Sequence, residues 1–212
     1  MIQIIRSTIP NFSPILNGEI RTIIGWLSLL LIMGATAFLV STYASKRFKG
    51  NKKKTALCFM TITLFTTLAM LSFFGFATTA IKGSILCLIL ILSSYQDIKK
   101  RECDDYIHVM ILITALIGTE LVALPGMIIS ALVTIGLMII PILIANGDIG
   151  GADIKLSAAT VFLLGFRRGT LGLILGFILA IIINFIKNKG NAKATFPLLP
   201  YLSVGFLTAY FI

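Results

Sequence analysis

Eight apolar runs order the chain, each parted from the next by a short polar or turn-rich segment. They cover about 22–45, 55–80, 84–96, 106–122, 127–145, 153–166, 170–186 and 195–212. The breaks are the basic block Lys46–Lys54, Lys82-Gly83, Gln96–Asp105, Pro125-Gly126, Asn146–Gly151, Arg167-Arg168-Gly169 and Lys187–Asn191. A membrane-crossing helix takes roughly 20 apolar residues, so eight of them consume nearly the whole chain. The pattern predicts an all-α, polytopic transmembrane helical bundle of about eight spans. Residues 1–21, with Pro10, Pro14 and Gly18, read as an irregular or interfacial segment. Residues 22–80 then form the first two spans around the short basic loop 46–54. Residues 81–212 form a core of about six.

Composition sharpens this. Of 212 residues, 58% are hydrophobic and 12% charged, against about 45–50% and about 25% in a soluble domain. That excludes a soluble enzyme built on one core and puts any chemistry in or against the bilayer. The net charge is +10. Because the basic residues sit in short loops, it points to topology and anionic lipid rather than to nucleic acid. If the 46–54 loop faces the cytoplasm, the inner segments hold Lys46, Arg47, Lys49, Lys52, Lys53, Lys54, Lys99, Lys100, Arg101, Lys155, Lys187, Lys189 and Lys193. The outer side keeps Arg6, Arg21, Lys82, Arg167 and Arg168. This asymmetry places both termini outside and four connections inside a cell inner membrane. Cys58, Cys87 and Cys103 make no CxxC pair, zinc spacing or disulfide framework. No metal and no cofactor is expected.

The acids are few and unevenly placed. Glu19 and Glu120 fall on the outer side. Asp97, Glu102, Asp104, Asp105, Asp148 and Asp153 gather at two inner connections. Singly, each has a plain reading. Asp153 suits a helix N-cap, and Asp97 a helix-end charge paired with Lys100 or Arg101. Asp104 and Asp105 suit N-caps for the fourth span, Asp148 a turn, and Glu102 a solvated site. As a set they suggest more. Asp97 ends an apolar run and Asp153 opens one, at one membrane depth. An ionisable group so placed is a functional hypothesis by default. Two carboxylates that converge across a bundle cannot both ionise and share a proton. One can activate water while the other protonates a peptide carbonyl or leaving amine, which is aspartyl proteolysis. Glycines beside Asp153 would let a substrate backbone come close.

These residues resemble a known family, the type IV prepilin peptidases, which are membrane aspartyl proteases with a GxGD motif. Gly150-Gly151-Ala152-Asp153-Ile154-Lys155-Leu156 resembles the family's G-x-G-D-[VI]-K-L. Asp97 through Asp105 resembles its first-aspartate segment, and Phe196-Pro197-Leu198-Leu199-Pro200-Tyr201 its P-F-G-P-F element. The resemblance is clear over 84–212 and faint over 25–47. It implies a catalytic pair, Asp97 and Asp153, that cuts the cytoplasmic leader of a prepilin-like membrane precursor (pilin, pseudopilin or competence subunit). It also implies site-shaping roles for Gly150, Gly151, Ala152 and Lys155. Ala152 stands where the family has Gly, and Cys103-Asp104 where Ile-Pro is usual. Bifunctional members carry a CxxC-bearing domain between the first two helices. Here that connection is short and without cysteine, which argues against N-methylation.

Lys155 lies two residues from Asp153, so the two do not share a helix face. It is read as snorkelling to headgroups or biasing the protonation of a carboxylate. His108 is read as a packing or hydrogen-bonding residue. Glu102, Asp104, Asp105 and Asp148 could attract a basic leader. The rival readings are a component of a proton-coupled transporter and a non-catalytic scaffold of a secretion or pilus machine.

Overall fold

The computed structural model describes residues 20–145, 150–187 and 197–212. These form α1 (Ile20–Arg47), α2 (Lys52–Phe74), α3 (Thr78–Lys100), α4 (Asp105–Leu116), a 3₁₀ turn (Leu121–Ala123), α5 (Leu124–Ala145), α6 (Gly151–Leu164), α7 (Phe166–Lys187) and α8 (Leu199–Tyr210). Among the described residues there is no strand. Among the described residues, eight α-helices answer to the eight apolar runs. Five are long and apolar enough to cross a membrane: α1, α2, α3, α5 together with its preceding turn, and α7. The chain is a multi-pass membrane protein. α4 and α8 have 12 residues and α6 has 14. They rise about 18–21 Å, short of a hydrocarbon core of about 30 Å.

Several boundaries differ from the hydropathy reading, each for a local reason. Lys82-Gly83 does not part the second helix from the third; both residues lie inside α3. The break is at Gly75, whose φ of 67° ends α2 while its N–H bonds the Leu71 carbonyl at 2.8 Å. Lysine is a good helix former, and a left-handed glycine is the stronger stop. Likewise Arg167-Arg168-Gly169 is the start of α7, not a break. Gly165, at φ 77°, ends α6 just before it. Pro125 sits in the first turn of α5, where its missing N–H costs nothing, so the fifth helix starts earlier than expected; the fourth stops earlier, at Leu116, just before Gly118 at φ 59°.

Two compact units divide within α3, one comprising residues 1–88 with Phe211, the other 89–210 with Ile212. In the first, α1 packs on α2. In the second, α6 is central and touches α4, α5, α7 and α8. Its residues Leu156, Ser157, Ala158, Ala159, Thr160 and Val161 are all buried. A run of mostly small side chains lets neighbours close in from every side, the usual solution where helices associate without a hydrophobic drive. α7 and α8 approach still more closely, backbone to backbone, at Gly172, Gly176 and Gly205.

Candidate active site

Both candidate aspartates belong to the second unit. Asp97 lies in the last turn of α3 and is 7% exposed. Its Oδ2 accepts the Leu199 N–H at 3.0 Å, and the carboxylate also takes a bond from the Leu198 N–H. The local sequence explains this. Pro197 and Pro200 have no N–H, so Leu198 and Leu199 supply the donors at the start of α8. Asp97 caps α8 from another helix, with its charge on the positive end of the dipole. One turn further into α3, the Ser94 hydroxyl donates to Ser203 Oγ at 2.9 Å and ties the same two helices.

Asp153 is the third residue of α6 and is half-buried. The cap itself is Gly150, and the Asp153 carboxylate reaches back to the Gly150 N–H. This is the second arm of a capping box, so the plain helix-start reading describes its hydrogen bond, though not its position. A Cβ built on Gly150 would lie 3.0 Å from Asp153 Oδ2, whereas one on Gly151 meets nothing within 4 Å. The first glycine of the motif therefore makes room for the carboxylate. Asp97 and Asp153 lie within electrostatic reach of each other.

Cys103, in the connection between α3 and α4, sits among these acids. Burial first, then the charges of Asp104, Asp97, Asp153 and Asp105, push its thiol up to about 12. Such surroundings favour the neutral thiol over the thiolate. The connection itself is tightly fixed. Arg101 turns it at φ 58°, an uncommon conformation for a residue with a Cβ. Buried Gln96 accepts the Asp104 N–H at 3.0 Å and donates to the Tyr106 hydroxyl at 2.8 Å.

The remaining candidates fall as follows. Asp104 is in the N-cap position of α4 but makes no side-chain cap bond, so the capping expectation holds in place and not in bonding. Asp105, in the first turn, is instead ion-paired with Lys155 at 2.8 Å. Lys155 thus reaches a carboxylate, and it is Asp105. Glu102 is exposed, Ala152 half-buried and Gly151 exposed. Asp148 lies outside the described residues. His108, 7% exposed, puts Nε2 3.3 Å from the Ala152 carbonyl. Gln96 and His108 are the contributors that the sequence reading did not place at the site. Their signals were weak: a lone amide beside Asp97, and the single histidine. Among the described residues, no cluster of His, Cys, Asp and Glu could hold a metal ion.

Two carboxylates from separate helices, Asp97 and Asp153, thus lie within one unit and act on each other electrostatically. A family model described as the type IV leader peptidase family matches residues 84–185. Over this segment, which runs from α3 into α7 and contains both aspartates, the chain is similar to the type IV leader peptidase family. The match indicates a peptidase, on family-level evidence alone. Comparison with curated proteins and with solved structures gives no match.

Proposed function

We propose that this protein is a membrane-embedded aspartic endopeptidase that removes the cytoplasmic leader of a type IV prepilin-like precursor. The observation that carries the proposal is the convergence of Asp97 and Asp153 within the family-matched segment, each held by backbone N–H groups. In this reading the pair holds one proton between them. The ionised member takes a proton from water, and the other donates to the scissile carbonyl. The substrate's apolar helix lies against the bundle, in a bilayer containing anionic lipids, and presents its leader at the inner ends of α3 and α6. α4, α6 and α8 complete eight crossings, with local bilayer thinning or tilt meeting their short length, and both termini lie outside. The short 46–54 connection, without cysteine, argues against N-methylation by this protein.

The test is to incubate the purified protein in lipid with a prepilin-like precursor and to identify the products by mass. One cut at the end of the basic leader, with an unmodified new N-terminus, is the expected outcome. An intact precursor would reject the proposal.

Two further results follow from the geometry. Gly150→Ala should lower kcat by about 10-fold, because the added methyl displaces the Asp153 carboxylate, and small misplacements are costly in catalysis. Gly151→Ala should fold normally, since nothing opposes its Cβ. Loss of activity in that variant would mean that substrate backbone comes close there. Glu102→Gln with Asp104→Asn should raise KM a few-fold for a basic leader and leave a neutral leader unchanged. An equal effect on both leaders would exclude electrostatic attraction.

A further inference from the structure

We infer that His108 is a positioning residue for Asp153, and that the first turn of α4 sets the spacing of the two carboxylates; this rests on the aspartic reading above. The ring is buried, with Nδ1 3.3 Å from the Asp105 carbonyl and Nε2 3.3 Å from the Ala152 carbonyl. Ala152 is the residue immediately before Asp153. Both partners are carbonyl oxygens, which only accept hydrogen bonds. A neutral ring carries one N–H, and in the tautomer with that proton on Nε2 it donates to the Ala152 carbonyl while Nδ1 packs against Asp105.

A second contact lies on the other side of Asp153. The Lys155 ammonium bonds Asp105 Oδ1 at 2.8 Å, with side-chain exposures of 60% and 80%. Exposed pairs of this kind are weak, so the buried histidine is the main tether. The same turn of α4 is held to α3 from the residue next to Asp97. Gln96 accepts the Asp104 N–H and donates to Tyr106. A continuous series of bonds therefore runs from beside Asp97, through Gln96, Asp104, Tyr106, Asp105 and His108, to the residue beside Asp153. α4 contributes no member of the pair, yet it bridges the two helices that do.

The experiment compares His108→Leu, which keeps bulk and loses the donor, with His108→Gln, which keeps a donor of similar reach. Cleavage kinetics are measured in lipid, together with amide exchange over residues 150–155 without substrate. His108→Leu should lower kcat about 10-fold or more with KM unchanged, and exchange over 150–155 should quicken. His108→Gln should stay within a few-fold of wild type on both. If His108→Leu does not fold, His108→Asn, whose amide is too short to span to Ala152, decides the matter by the same two readouts: loss of kcat with quicker exchange supports the tether, and wild-type values overturn it. Wild-type kcat and exchange in His108→Leu would overturn the inference. So would equal loss in the Gln and Leu variants, or an effect on KM alone. If Asp153→Asn still cleaves, the aspartic reading fails, while the exchange data still judge the tether.

Discussion

Asp97→Asn and Asp153→Asn should each reduce leader cleavage by about 10³-fold or more, with the fold intact. A positioned acid or base contributes about 10²–10⁴-fold, and in the proposed mechanism each carboxylate serves in a pair that works only as a unit. The double variant should therefore be no slower than either single one, as groups acting together are non-additive. Asparagine is the proper test because it preserves the local bonds. Its amide oxygen can still accept the Leu199 N–H at position 97 or the Gly150 N–H at position 153. Asp97→Leu would confuse the result. It would strip the start of α8 of its partner and leave buried donors unsatisfied, at about 1–3 kcal/mol. Circular dichroism and thermal unfolding in detergent should show the Asn variants unchanged, while product mass shows no cut.

Gly205→Ala should destabilise the protein severely and abolish activity with it. A Cβ at position 205 would lie 2.3 Å from the Gly172 carbonyl oxygen and 2.5 Å from the Gly176 nitrogen. Both are backbone atoms, so no side chain can swing away and α7 and α8 must separate. Overpacking of this kind costs about 1–3 kcal/mol and sometimes more, and lipid offers no compensating burial. Moving α8 also withdraws Leu199 from Asp97, which links the packing defect to the site. Gly136→Ala is the matched control in α5. Nothing lies within 4 Å of its Cβ, and alanine is the better helix former by about 1 kcal/mol. A thermal scan in detergent should show Gly205→Ala losing its folded form well below wild type and Gly136→Ala unfolding at or above it. Equal stability of the two would contradict the packing described here.

The helices were legible because hydropathy reports burial in lipid directly, and each apolar run did become a helix. Their ends were less so. Gly75 stands between Phe74 and Phe76 in a run with no polarity change, and its left-handed φ is invisible to a hydropathy pattern. Lys82 looked like a stop because charge was read as a boundary, although it is compatible with a helix interior. Gly172 and Gly176 form a readable GxxxG spacing that the apolar run concealed. Gly205, the residue that they receive, is distant in sequence and could not be paired with them. At the site, the resemblance singled out Gly150 and Gly151 together. The structure separates them, since only Gly150 is pressed against the Asp153 carboxylate. The tether from His108 to Ala152 joins residues 44 apart, and a single imidazole in an apolar helix carries no periodic or motif signal.

The central claim is that paired carboxylates, Asp97 and Asp153, perform the peptide cleavage. The most direct measurement is binding of a leader-peptide analogue that carries a hydroxyl-bearing tetrahedral carbon in place of the scissile carbonyl, compared with the same peptide uncut and unmodified. Transition-state analogues bind about 10²-fold or more tighter than substrates. Wild type should therefore prefer the analogue by at least that factor, and Asp97→Asn and Asp153→Asn should each lose the preference while still binding the plain peptide. Equal binding of the two ligands by wild type, or a preference that survives either substitution, would contradict the account.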